Sequence, residues 1–270
     1  MTSHLRILIC NDDGHHSPGL HALERAARAF SDDVWTVAPE VKRSSMGHSI
    51  SLHDSFTLTR LDEKRYACSG TPADCAIAGI SWLFQGSGNS SPPALVLSGV
   101  NDGRNIGEDI AYSGTMSIAR EASFWKIPAI AFSAPNSVDF TSAAMTGWLS
   151  GLVREFAGNI AAWHQVDTWL SINLPASVPA PLRHAVPGRA KIAPGVVVQG
   201  TQGNKTVLRY QKGRRSEGLQ SDEASQIEAG FAPVYRLRWN GYAALDDGLL
   251  ESINASVAPA AAMTAEPNPS

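Results

Sequence analysis

Two neighbouring aspartates, Asp12 and Asp13, sit in the stretch Asn11-Asp12-Asp13-Gly14, directly after the apolar run Leu5-Arg6-Ile7-Leu8-Ile9-Cys10. Adjacent carboxylates repel unless a cation lies beside them, and hard oxygen donors such as Asp, Asn and Ser suit magnesium, manganese or calcium. The plainer alternative is a turn fastened by side-chain-to-backbone hydrogen bonds. Two more polar loops favour the cation: Glu40, Lys42, Arg43, Ser44 and Ser45 follow a second apolar run, and Gly99, Val100, Asn101, Asp102 and Gly103 follow a third. Downstream, the loop from Asn101 to Asp109 is rich in Gly and Asn, so its backbone amides can turn inward on an anion. It leads to Tyr112-Ser113-Gly114-Thr115 at a helix start, where Ser113 and Thr115 can cap the helix and Gly114 can let a phosphate approach the free amides. An ordinary loop and N-cap is the competing reading. Thr71, Pro72 and Asp74 are accounted for structurally, as N-cap, first helical position and third position of another helix.

The elements that must position these loops are legible as alternating strands and helices. Residues 5–10, 34–38, 94–98 and 128–133 are short apolar runs ended by Asn, Pro or Gly; residues 20–30 and 115–125 have helical spacing between them. Strands apolar along their whole length, alternating with helices, imply a parallel sheet covered on both faces. The expected fold class is α/β, a Rossmann-like doubly wound, mainly parallel sheet with a C-terminal β-hairpin arm. In such sheets ligands bind beyond the carboxyl ends of the strands, where crossover direction reverses. A long helix is expected over 142–164 and a strand over 168–173. Val196-Val197-Val198 and Thr206-Val207-Leu208 flank Gly200 to Asn204 as a hairpin outside the main sheet. One domain over 1–254 is expected, with a protruding oligomerisation arm at about 179–215, and a disordered tail over 255–270, where bulky apolar residues nearly vanish.

Taken together, Asn11-Asp12-Asp13-Gly14, Ala38-Pro39 with Arg43-Ser44 and Gly47-His48-Ser49, Ser69-Gly70-Thr71-Pro72-Ala73-Asp74-Cys75, Ser98-Gly99-Val100-Asn101 with Gly103, Asn105, Gly107 and Asp109, and Tyr112-Ser113-Gly114-Thr115 resemble the SurE survival-protein family. The joint order and spacing carry the resemblance over residues 6–134, with a looser match at Ser171-Ile172-Asn173-Leu174-Pro175. The resemblance implies a divalent-metal-dependent phosphomonoesterase that hydrolyses nucleoside 5′-monophosphates, with 3′-nucleotides and short polyphosphate as further substrates. It implies one cation per subunit, magnesium or manganese, on Asp12, Asp13, Ser44 and Asn101, with Asp12, Asp13 and Asn101 catalytic. Ser44, Gly103, Asn105, Gly107, Ser113, Gly114 and Thr115 would bind phosphate or substrate. A homodimer or homotetramer is implied as well. Near the end the family's Gly-Tyr-x-Ser-x-Thr-Pro-Leu is replaced by Gly230-Phe231-Ala232-Pro233-Val234-Tyr235-Arg236-Leu237.

Bulk properties narrow the classes. The 270 residues, 43% hydrophobic, can bury a full core, and a net charge of -3 offers no basic stripe for extended nucleic acid. Cys10, Cys68 and Cys75 lack paired spacing, which fits reduced buried thiols. No run approaches a membrane span and no charged-then-apolar leader precedes the first strand, so the cytoplasm is the expected compartment. The rival functions are a non-catalytic nucleotide- or metal-binding regulator and a zinc-dependent deacetylase; the latter places His-Pro before its paired Asp, where this chain has Cys10 and Asn11.

Overall fold

Four consecutive buried residues, Ile7, Leu8, Ile9 and Cys10, make the central strand. Their alternation feeds both sides of the sheet, and full burial of each large side chain contributes roughly 1.5–3 kcal/mol. The computed structural model describes residues 4–84, 91–218 and 221–241. The chain runs β1 (Ile7–Cys10), α1 (Pro18–Arg28), β2 (Val34–Pro39), β3 (Leu58–Asp62), β4 (Arg65–Cys68), α2 (Pro72–Ser81), β5 (Leu95–Asp102), α3 (Asp109–Tyr112), α4 (Gly114–Phe124), β6 (Ala129–Ala134), α5 (Ala143–Gly158), α6 (Ile160–Trp163) and β7 (Thr168–Asn173). It continues through β8 (Leu182–His184), β9 (Arg189–Ile192), β10 (Val196–Gln202), β11 (Lys205–Tyr210), β12 (Arg214–Glu217), α7 (Glu223–Glu228) and β13 (Ala232–Arg238).

The main sheet has the order β3-β4-β2-β1-β5-β6-β7-β13-β8. Strands β4, β2, β1, β5, β6 and β7 are mutually parallel, while β3 and β13 join antiparallel. From β1 the chain winds outward through β2 to β4, then crosses to β5 and winds the other way. The switch point therefore lies between β1 and β5, where Asp12, Asp13 and Asn101 stand. Helices α1 and α5 cover one face with Ile7, Ile9, Leu23, Leu97, Phe132 and Leu149 in its core. Helices α2 and α4 cover the other, with Leu8, Cys10, Val96, Met116, Ile118 and Trp169. Cys10, Cys68 and Cys75 are free and buried.

Local sequence sets the helix starts. Ser17 and Ser142 accept from Leu20 N and Met145 N, Pro18 opens α1, and Thr71 with Asp74 forms a reciprocal capping box on α2. The helix expected over 142–164 breaks at Asn159, whose amide donates to Glu155 O at 2.9 Å and so competes with the helical ladder. The hairpin β10·β11 forms its own two-stranded sheet, with Gly203 at φ +60° in its two-residue turn. Within 179–215, however, β8 joins the main sheet beside β13, and β9 pairs with β12 in a separate ribbon. The stretch from Gly230 to Leu237, where the family pattern fails, is mostly β13, an interior strand of the sheet. The expected tail over 255–270 lies outside the described residues.

Candidate functional site

Asn11 fastens the turn after β1: its amide nitrogen donates to Gly14 O at 3.0 Å and to Ser17 Oγ at 2.7 Å. That frees both aspartates for other work, so the turn and the acidic pair are separate features of one tetrapeptide. Asp12 is buried. Its Oδ1 accepts from Thr115 Oγ1 at 2.6 Å, and its backbone carbonyl accepts from Arg43 N at 2.7 Å, which ties the first loop to the second. Burial, with the nearby Asp13 charge adding to it, outweighs the Thr115 hydrogen bond and pushes the Asp12 carboxyl up to about 6.

Asp13 is engaged differently. Lys42 Nζ lies 2.6 Å from its Oδ1, and the Asp102 amide donates to Oδ2 at 2.8 Å. The hydrogen bond to Asp13 raises the Lys42 pKa in turn. The repulsion expected between the two carboxylates is thus met partly by a lysine four residues before Met46, which the sequence shows but assigns no partner. Asn101 donates its amide nitrogen to Gly103 O at 2.7 Å.

A cavity of about 230 Å³ is lined by Asp12, Ser44, Asn101, Gly103, Asn105 and Ser113, so six of the expected residues come together at the switch point. Asp13 lines an adjoining cavity that shares Asp102 with the first. Asp12, Ser44 and Asn101 present hard oxygen donors and the lining holds no Cys or His, which fits magnesium or manganese rather than zinc. Among the described residues no three His, Cys, Asp or Glu side chains cluster as a metal cage. A cation here would therefore depend on the amide and hydroxyl oxygens of Asn101 and Ser44.

Several residues assigned to phosphate are occupied otherwise. Gly103 N donates to Ala134 O, and Gly107 N donates to Glu223 Oε1, so neither amide faces a free anion. Gly107, at φ +53°, is fixed by packing, because a Cβ there would meet Ala190 N at 2.5 Å. Asn105 is buried, its amide nitrogen donating to Ser133 Oγ and its backbone N to Asn173 Oδ1. Gly114 is needed for a closer reason than ligand access. A Cβ would lie 2.6 Å from Asp12 Cβ and 2.8 Å from Pro72 Cγ. Ser113 alone caps α4, accepting from Met116 N at 3.1 Å, whereas Thr115 spends its hydroxyl on Asp12. The first amides of α4 have no acceptor within the helix, and its dipole favours an anion there.

The sequence reading missed a far-side wall. Arg214 forms a two-point ion pair with Asp109, at 2.7 Å from Oδ2 and 2.9 Å from Oδ1, and lines the cavity with Arg104, Tyr112 and Ile192. Glu223 accepts from both Gly107 N and Gly188 N, and Ile106, Ala190 and Ile227 make a small third core behind it. Only the Ser-Asp-Glu-Ala helix start at residues 221–224 could have flagged Glu223; nothing local flags Arg214. His48, part of the Gly47-His48-Ser49 motif, bonds Glu121 Oε2 at 2.9 Å and stacks on Phe124, outside the cavity.

The family model described as Survival protein SurE matches residues 7–193. A 5′-nucleotidase SurE of Methylocella silvestris is 42% identical over 196 residues, covering 71% of this chain and 73% of that protein. One from Rhodopseudomonas palustris (strain BisA53) is 42% identical over 178 residues, covering 65% and 68%. The crystal structure of the SurE protein from Aquifex aeolicus superposes with a TM-score of 0.73 at 27% identity, covering 93% of this chain and 99% of that one.

Proposed function

The chain belongs to the SurE survival-protein family, and on that premise we propose that it is a phosphomonoesterase hydrolysing nucleoside 5′-monophosphates to nucleoside and phosphate. The observation that carries this reading is the buried Asp12 carboxyl, set at the switch point under the first turn of α4 and beside a cavity of hydroxyl, amide and guanidinium groups. The site takes one divalent cation, magnesium or manganese, through Asp12, Ser44 and Asn101, with Asp13 as the fourth ligand. When bound, the cation draws negative charge from the phosphoryl oxygens.

The chain's own residues supply the rest. Thr115 fixes the Asp12 rotamer through its hydroxyl bond. The Ser113 hydroxyl, whose oxygen already caps α4, keeps its hydrogen for a phosphoryl oxygen, and Arg104 offers a guanidinium from the same lining. Asp12 and Asp13 orient the attacking water, and Lys42 holds Asp13 in place. Donors fixed in advance in a partly dry cleft stabilise charge as it redistributes in the transition state.

The test is phosphate release from AMP, GMP, 3′-AMP, short polyphosphate and an aryl phosphate, each with magnesium or manganese. Sustained release from the 5′-nucleotides, abolished by chelation, is the expected result; tight nucleotide binding without turnover would favour the regulator instead.

Assembly follows from the arm. Val196, Val198, Val207, Leu208 and Tyr210 on β10·β11 are all more than half exposed, an apolar load that a lone hairpin does not hide. A partner subunit covers it, giving a homodimer or homotetramer. Light scattering of the protein lacking residues 196–210 should show a smaller particle. No described helix is long and apolar enough to cross a membrane, and we place the enzyme in the cytoplasm, which cell fractionation would check.

A further inference from the structure

The cavity beside Asp12 is small for a whole nucleotide. At about 230 Å³ it falls below the roughly 300–1,000 Å³ typical of small-molecule sites, so the phosphoester half of the ligand fits there and the nucleoside half needs adjoining space. Such space exists on the α1 side. A larger cavity of about 620 Å³ shares Asp102 with the first and is lined by Asp13, His16, Lys42, Asn136, Asp139 and Thr141, among others.

Charge sorts the two halves of the ligand. The larger cavity sets Asp13, Asp102 and Asp139 against the single ammonium of Lys42. That balance disfavours a second phosphate and tolerates a neutral sugar and base. The lining also offers the right contacts. His16 is exposed, and its imidazole lies against His15 with ring centroids 3.7 Å apart and the ring planes tilted by 44°, which leaves an aromatic face at the cavity. Stacking on such a ring works for any base, since every base has a π-face. Across the cavity Asp139 is exposed; Thr141 donates to its Oδ1 from both backbone N (2.8 Å) and Oγ1 (2.6 Å), which fixes the carboxylate. These bonds hold its pKa below the ordinary range, so it stands as an acceptor for sugar hydroxyls. Asn136, near Gly103, adds an amide at the boundary between the two cavities.

We propose that this larger cavity is the nucleoside subsite, with His16 stacking the base and Asp139 accepting from the ribose hydroxyls. The proposal rests on the nucleotidase reading but makes a separate claim, since adenosine alone should occupy the subsite without any phosphoryl chemistry. The opposite wall, where Tyr112 and Ile192 flank the smaller cavity, is the competing location. There the Tyr112 ring already carries Lys191, whose Nζ lies 4.5 Å from the centroid and 2.7 Å from the hydroxyl.

The experiment is calorimetric titration of the manganese-loaded protein with adenosine, 2′-deoxyadenosine and inorganic phosphate. It compares the wild type with His16→Ala, Asp139→Ala, Thr141→Val and Tyr112→Ala, each checked for an unchanged melting temperature. His16→Ala should weaken adenosine on the order of tenfold, the scale of one base-stacking contact, with phosphate affinity retained. Asp139→Ala should erase the preference for adenosine over 2′-deoxyadenosine; Thr141→Val, which loosens the loop but keeps the carboxylate, should retain part of it. Failure of the wild type to bind adenosine, or adenosine affinity lost in Tyr112→Ala and kept in His16→Ala, overturns the proposal. Turnover on AMP and an aryl phosphate, measured in parallel, judges the nucleotidase reading independently: a protein that binds adenosine through His16 yet releases no phosphate leaves the subsite standing and removes the enzyme.

Discussion

At the β1 and β5 edge the chain reaches its cavity through residues at the carboxyl ends of the strands, Asp12 just after β1 and Asn101 near the end of β5, with Asp13 in the adjoining cavity. At the opposite wall it reaches the same cavity through partners distant in sequence: Glu223 bonds Gly107 across 116 positions and Arg214 bonds Asp109 across 105. In the proposed reading, the first region carries the chemistry on the ends of parallel strands, which the sheet itself holds rigid. The second holds a loop that has no strand beneath it, by filling its backbone donors and pairing its charge. Loss of the first should therefore cost activity with little change in fold, and loss of the second should cost stability first.

The sharpest test is Asp12→Asn. The substitution keeps the size and the acceptor for Thr115, so the fold should survive while phosphatase turnover falls on the order of 10³-fold or more. A variant that unfolds instead would place Asp12 among the buttresses. Gly114→Val comes next. Its Cβ must push on Asp12 and Pro72, so turnover and manganese affinity should drop together, on the order of 10²-fold. Turnover lost with manganese affinity intact would move the role of Gly114 back to phosphate access.

The pH dependence comes next in size. Because the Asp12 carboxyl is lifted to about 6 when folded, chiefly by burial, the folded chain holds that proton more tightly than the unfolded chain. Its contribution to stability without cation is complete below the ordinary 3.8 and is lost as pH rises through about 6, on the order of 3 kcal/mol. A cation must displace the same proton, so manganese affinity should fall about tenfold per pH unit below 6. Titrations at pH 5, 6 and 7 would read this, and Asp12→Asn should flatten the slope.

Glu223→Gln is the smallest effect and tests the second region. One of the two backbone N–H groups would face an amide nitrogen in place of a carboxylate oxygen, at a cost of about 1–3 kcal/mol. Denaturant melts should show that loss with kcat lowered only a few-fold. A loss of activity as deep as that of Asp12→Asn, without a stability change, would erase the distinction between the two regions.

What the sequence disclosed follows the same division. Strands β1, β2, β5 and β6 begin as short apolar runs, and β7 is legible from Trp169, Leu170 and Ile172, so their succession along the chain could be read from pattern, whereas their order in the sheet could not. Ser17, Thr71, Ser113 and Ser142 as caps obey local rules. Strands β3 and β4 were missed because Leu58 to Asp62 is largely exposed and polar. Strand β13 was missed because Pro233 and Arg236 blur its alternation. The partners of the Gly103 and Gly107 amides were not legible because a glycine-rich loop has amides that can face either way, and only distant acceptors, Ala134 O and Glu223, decide which. Lys42 was visible but unassigned, since nothing local points its ammonium at Asp13.

The division of β1 between two cores bears on how this chain can change over time. Ile7 and Ile9 belong to the α1 and α5 layer, Leu8 and Cys10 to the α2 and α4 layer, and the sheet stands between as a partition. Leu23 and Leu149 belong to one cluster and Ile80 and Ile118 to the other, so the costs of substitutions in different layers should simply add, whereas pairs within one layer compensate or compound. Each layer is then free to drift and repack as its own lineage of solutions. Strand β1 serves both at once, Ile7 and Ile9 on one side and Leu8 and Cys10 on the other, so a change in the strand that delivers Asp12 is felt in both layers.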